Sequence, residues 1–111
     1  VDYLDTKSHK AWRPIAWCSF LTGKYDQARN YYKKIMADNP TMQDYLNAGH
    51  TEWVLQNMQQ ALTYYKLAVQ KENSSWDIFY AQFEQDLPDL ERTGVETDEV
   101  PLLLDQLRYI I

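Results

Sequence analysis

Few side chains in the 111-residue chain are suited to covalent or metal chemistry: His9, His50, the single cysteine Cys18, and an acidic cluster at Glu96, Asp98 and Glu99. A Cys18–His50 pair would give an activated thiolate, and a His50–Glu52 pair a base with its orienting partner. Neither falls within His-Glu-x-x-His, Gly-x-Ser-x-Gly or a glycine-rich phosphate loop, so no catalytic constellation, metal site or cofactor is expected. His50 reads as a groove or packing residue. The acidic cluster lacks the alternating spacing and the glycine of a calcium loop, and reads as a solvated helix start. Cys18, flanked by Trp17 and Phe20, reads as a small buried filler. One cysteine excludes an internal disulfide, and it fits a reducing, cytoplasmic setting.

The elements that would position these residues are helices. Three Gly, four Pro and no alternating β-branched run leave sandwiches and barrels without their punctuation. Apolar residues at 45% and sixteen aromatics place the chain among folded domains. The net charge of −5 divides unevenly: residues 1–71 hold nine Lys/Arg and six Asp/Glu, residues 72–111 two and ten. No basic stripe is present to neutralise phosphates, so nucleic acid is not an expected partner. No apolar run approaches ~20 residues, so a membrane is not expected either.

The segments ARNYYK (28–33) and ALTYYK (61–66) share a skeleton at an offset of 33 residues. The same offset superposes Trp12 on Tyr45, Ala16 on Gly49, Ala28 on Ala61, Tyr32 on Tyr65 and Ile35 on Ala68. A period of about 33 to 34 residues is that of two antiparallel helices and two turns stacked as one unit. In the first unit Trp12, Ile15, Ala16 and Ser19 or Phe20 recur at helical spacing, and Gly23-Lys24 offers a left-handed stop. Ala28, Tyr31, Tyr32, Ile35 and Met36 follow, and Asn39-Pro40 ends that helix. In the second, Thr41 caps a helix carrying Tyr45, Ala48, Gly49 and Glu52 or Trp53; Ala61, Tyr64, Tyr65, Ala68 and Val69 form its partner. Gly49 inside a helix implies close packing across that point, because Gly costs ~1 kcal/mol of helix propensity relative to Ala.

These residues resemble the tetratricopeptide repeat. Trp12, Ile15-Ala16, Ala28, Tyr32, Ile35 and Pro40 match its 34-residue pattern almost completely. The second unit keeps Gly49, Ala61 and Tyr65 but has Ala48, Met58 and Asn73 where an aliphatic residue, an aromatic and Pro are usual. The stretches 13–20, 43–50 and 105–109 also look like the C-terminal part of a group of bacterial tetratricopeptide-repeat proteins. The resemblance implies an all-α, right-handed superhelical stack of hairpins with a C-terminal capping helix, working as a non-catalytic protein-interaction scaffold.

The expected organisation is a tail of a truncated upstream repeat at 1–8, repeats at 9–41 and 42–74, a degenerate hairpin at 75–95 and a capping helix at 96–111. Ser74 or Ser75 would cap the helix beginning at Trp76. Pro88 would open a further helix of about two turns that Gly94 stops, and Thr97 or Asp98 would cap the last. Leu102, Leu103, Leu104 and Leu107 would cover the apolar end of the stack.

In the family the first helix of each repeat lines a concave face, at the second, fifth, ninth and twelfth positions. Carried over, these are Lys10, Arg13, Trp17 and Phe20; Gln43, Leu46, His50 and Trp53; then Trp76, Phe79, Phe83 and Asp86. Asn47 flanks them. The resemblance implies that a protein or peptide binds in this aromatic groove. Members that clamp a C-terminal carboxylate use Lys and Asn at the fifth and ninth positions, which here hold Arg13 and Trp17, then Leu46 and His50, so that activity is not expected. Alternatively the aromatics cover one another and the segment ends a longer array, or self-associates through its N-terminal edge.

Overall fold

In a computed structural model the protein is described over residues 9–98 and 100–110, apart from the side chains of His9, Lys10 and Ile110. The expected upstream tail at 1–8, and Glu99 of the acidic cluster, lie outside the described residues. Among those described there are six helices and no strand: α1 (His9–Leu21), α2 (Tyr25–Met36), α3 (Met42–Val54), α4 (Met58–Gln70), α5 (Trp76–Arg92) and α6 (Val100–Ile110). The fold is all-α. None of these helices is long and apolar enough to cross a membrane.

Chain neighbours are neighbours in space: α1 packs along α2, α3 along α4, and α2 against α3. Ala28, Tyr32 and Ile35 of α2 are buried at spacings of four and three, as a helix with one apolar stripe requires. Asp26 in its first turn and Lys33 and Lys34 in its last complement the helix dipole. A capping box opens α3: Thr41 accepts from the Asp44 amide at 3.2 Å, and Asp44 accepts from the Thr41 amide at 2.8 Å. Ser75 caps α5 by accepting from the Ile78 amide at 3.2 Å.

The two hairpin turns share one backbone design. Gly23 has φ +83°, Gly23 N–H donates to Phe20 and Lys24 N–H to Ser19, closing α1 in a Schellman motif. Thirty-three residues on, Gln56 has φ +65°, with Gln56 N–H donating to Trp53 and Asn57 N–H to Glu52. Asn39 (φ +53°) and Asn73 (φ +65°) turn the chain after α2 and α4. A Cβ on Gly49 would lie 2.6 Å from Cδ1 of Tyr65, so the close approach expected at that glycine is present.

The region 75–95 differs from its reading as a short hairpin. α5 runs unbroken for 17 residues through Pro88, and Gly94 (φ +89°) turns the chain only after it. Pro88 faces solvent, while Phe79, Phe83, Asp86 and Leu90 form one buried stripe on the opposite side. Burying each large apolar side chain contributes about 1.5–3 kcal/mol. Three of them together outweigh the ~3 kcal/mol of a proline inside a helix.

Cys18 is exposed and is not a filler; Ala16, Ser19 and Phe20 form the buried face of α1, and Cys18 lies off it. In α6, Val100, Leu103, Leu104 and Leu107 are buried and Leu102 is not, because four positions, not the whole leucine run, share one helical face.

Candidate functional site

The predicted groove residues belong to α1, α3 and α5, and the structure divides those it describes by exposure into two groups. Arg13, Trp17, Gln43 and Asn47 remain at least partly open. Phe20, Leu46, His50, Trp53, Phe79 and Phe83 are buried, so the expected open aromatic groove is filled there. Trp76 is half-buried against Phe79, with ring centroids 5.6 Å apart. Lys10 lies outside the described side chains.

The cause of the filling is α5. Its Phe83 sits 6.2 Å from Trp53 and 5.3 Å from His50, centroid to centroid. Phe79 and Phe83 both meet the Tyr65 ring edge-on, at 5.8 and 5.4 Å. The far end of α5 reaches back toward α1, where Asp89 and Arg92 line a small cavity with Phe20 and Leu21. Aromatics that the repeat pattern assigns to a binding surface are here the packing between helices.

His50 sits at the centre of this packing in a chain of hydrogen bonds, at 2.8 Å from Nδ1 to the Tyr65 hydroxyl and 2.8 Å from Nε2 to Asp86 Oδ2. An ionised carboxylate only accepts, so in the neutral ring Nε2 carries the proton and Nδ1 accepts from the Tyr65 O–H. Gln82 donates to the other Asp86 oxygen at 3.2 Å. Burial pushes the Tyr65 hydroxyl well above the usual tyrosine value, and the charge of Asp86 adds to this. A Tyr–His–Asp series is also the geometry of a proton relay; here both Tyr65 and His50 are fully buried. As built, the chain ties α3, α4 and α5 together.

The pairings imagined from the sequence do not form. Glu52 takes a two-pronged contact from Arg29, Nε and Nη2 donating at 2.9 and 2.8 Å, and so joins α2 to α3. That bond holds the Arg29 guanidinium above its ordinary pKa against the opposing effect of desolvation. Among the described residues no three His, Cys, Asp or Glu side chains come together as a metal site.

The open part of the face is also tied down. Arg13 Nε and Nη2 donate to the Asp44 carboxylate at 2.7–3.0 Å, fastening α1 to the capping box of α3. The hydrogen bond raises the Arg13 pKa, so this cation stays charged at any physiological pH. Gln43 donates to Asn47 at 2.8 Å. Trp17 stacks on Phe20 with centroids 5.1 Å apart and keeps part of its surface in solvent. The resemblance puts His50 and Asp86 at expected groove positions, but nothing in their spacing signals that they bond each other across 36 residues. Set against family models, curated proteins and solved structures, the chain has no match.

Proposed function

We propose that the chain is a non-catalytic scaffold of tetratricopeptide-like hairpins in a right-handed stack, binding a protein or peptide along the open face of α1 and α3. The stacking is supported by the recurrence of turn geometry at Gly23 and Gln56 and by the close seat of Tyr65 on Gly49. The observation that carries the binding role is the grouping of the open positions: an arginine, a tryptophan and two carboxamides lie together on adjacent helices. Arg and Trp are the side chains richest in binding energy at interfaces. Arg13 is held in place by Asp44, so little of its freedom is lost when a ligand docks.

Selection from a displayed random-peptide library tests this. Peptides captured by the native chain should bind at least ~10-fold more weakly to Trp17→Ala and Arg13→Ala at unchanged helical content, as expected for hot-spot residues. Undiminished capture by both variants removes the face from consideration. A second reading, an end piece of a longer array without a groove of its own, is favoured by the filling of the face by α5 and by the apolar cover of α6. It predicts that light scattering shows a mass rising with concentration, through the N-terminal edge of α1 and α2.

A further inference from the structure

Between α5 and α6 lies a cleft of about 380 Å³, within the ~300–1,000 Å³ range of ligand pockets; no residue of α1 or α3 lines it, while Trp76 and Phe83, expected on the groove, do. Trp76, Tyr80 and Leu87 give it aromatic and apolar wall, and Glu84 and Asp105 bring two carboxylates to it from opposite helices. Among the described residues neither carboxylate has an ion-pair or hydrogen-bond partner. The guanidinium of Arg108 lies 5.7 Å from the centroid of the Trp76 ring, so a cation of the chain itself already uses the electron-rich ring face. The surroundings favour the same sign: residues 72–111 hold ten acids and two bases, and the other base, Arg92, is engaged by Asp89 at 3.0 Å.

We propose that this cleft binds a cationic side chain, an arginine or lysine carried by a basic peptide segment of a partner protein. The cationic head lies against Trp76 and Tyr80 and between Glu84 and Asp105, and the methylene stem runs along Leu87. Arg108 is the resident occupant that the incoming side chain displaces. Anionic ligands meet repulsion from both carboxylates, and a wholly apolar ligand leaves both of them without a counter-charge. The sign of the charge therefore selects among ligands that the walls alone would admit.

Calorimetric titration of the full chain with a short synthetic peptide of arginines and leucines, and with its glutamate-for-arginine counterpart, tests this. The arginine peptide is expected to bind saturably and to weaken with added salt, and the glutamate peptide not to bind. Glu84→Gln combined with Asp105→Asn should weaken binding about fivefold, since each exposed charge contribution is modest. Arg108→Gln should tighten it about threefold by removing the competitor. All three positions are exposed, so the fold should be retained. Trp17→Ala, in α1 and outside the lining of the cleft, should leave this binding unchanged. Absence of binding, equal binding by the carboxamide pair, or weaker binding by Arg108→Gln overturns the proposal. Self-association of the chain that is abolished by the carboxamide pair makes a second copy the occupant, which also overturns it.

Discussion

The hairpins α1–α2 and α3–α4 follow one pattern, yet they place glycine at different points. The first has Ala16 at the helix crossing and Gly23 in its turn; the second has Gly49 at the crossing and Gln56 in its turn. The tyrosines explain the exchange. Tyr65 reaches across to His50 with its hydroxyl, and its ring lies where a Gly49 methyl would stand. Tyr32, at the same place in the first unit, is buried with its hydroxyl facing the Asn47 carboxamide but without a hydrogen bond of good geometry. The backbone repeats, then, while the side chains are fitted to a third element that only the second hairpin touches closely.

The sharpest way to break this comparison is Gly49→Ala. Helix propensity alone favours the change by ~1 kcal/mol, whereas overpacking against a buried ring costs about 1–3 kcal/mol or more. With a methyl set 2.6 Å from Cδ1 of Tyr65, urea unfolding should show a net loss of ~2 kcal/mol. A gain in stability would mean that the ring moves aside freely and that the second crossing is no tighter than the first.

The paired tyrosines come next. Tyr65→Phe leaves the buried Nδ1 of His50 without its donor and should cost about 1–2 kcal/mol. Tyr32→Phe removes a hydroxyl that has no hydrogen bond, so it should be neutral or slightly stabilising in the same unfolding assay. The alkaline limb separates them again. Both hydroxyls titrate above the ordinary value of 10.0 in the folded chain, Tyr32 through burial that the Asn47 carboxamide partly offsets, Tyr65 through burial and Asp86. Above about pH 10 the unfolded chain therefore holds fewer of these protons than the folded one, and stability falls as pH rises. Each Tyr→Phe variant should make that fall shallower.

At the turns the expected effect is smaller than the losses at Gly49 and Tyr65. Gln56 holds a left-handed backbone that costs a side chain about 1 kcal/mol and Gly nothing, so Gln56→Gly should raise the unfolding free energy by roughly that amount. Gly23→Ala should lower it similarly. No change at either turn would show that their shared hydrogen bonds, and not residue type, dominate.

The helices could be read from the sequence because their apolar spacing is periodic, and their ends because Gly23, Thr41 and Ser75 each act locally. Pro88 misled for the converse reason: a local rule opens a new helix there, but three buried large side chains on the far face of α5 keep it continuous. Cys18 misled by phase, since one residue along a helix turns about 100° and separates it from Ser19. The groove was half legible. The repeat pattern identifies which side chains point to one face, and packing decides whether that face stays open. Phe79 and Phe83 occupy it, a long-range outcome that no spacing within the first two units encodes.

The bonds of His50 also set an order in time. Its link to Tyr65 closes over 15 residues and can form once α4 is made, whereas its link to Asp86 spans 36 and must wait for α5. During synthesis at ~5–20 residues per second, the stretch from Gln70 to Arg92 takes roughly 1–4 s. Over that interval a nascent α3–α4 hairpin shows the imidazole N–H and the bare edge of the Tyr65 ring to whatever is near. The segment that fills the face in the finished molecule is thus the last of the three helices joined at His50 to be synthesised.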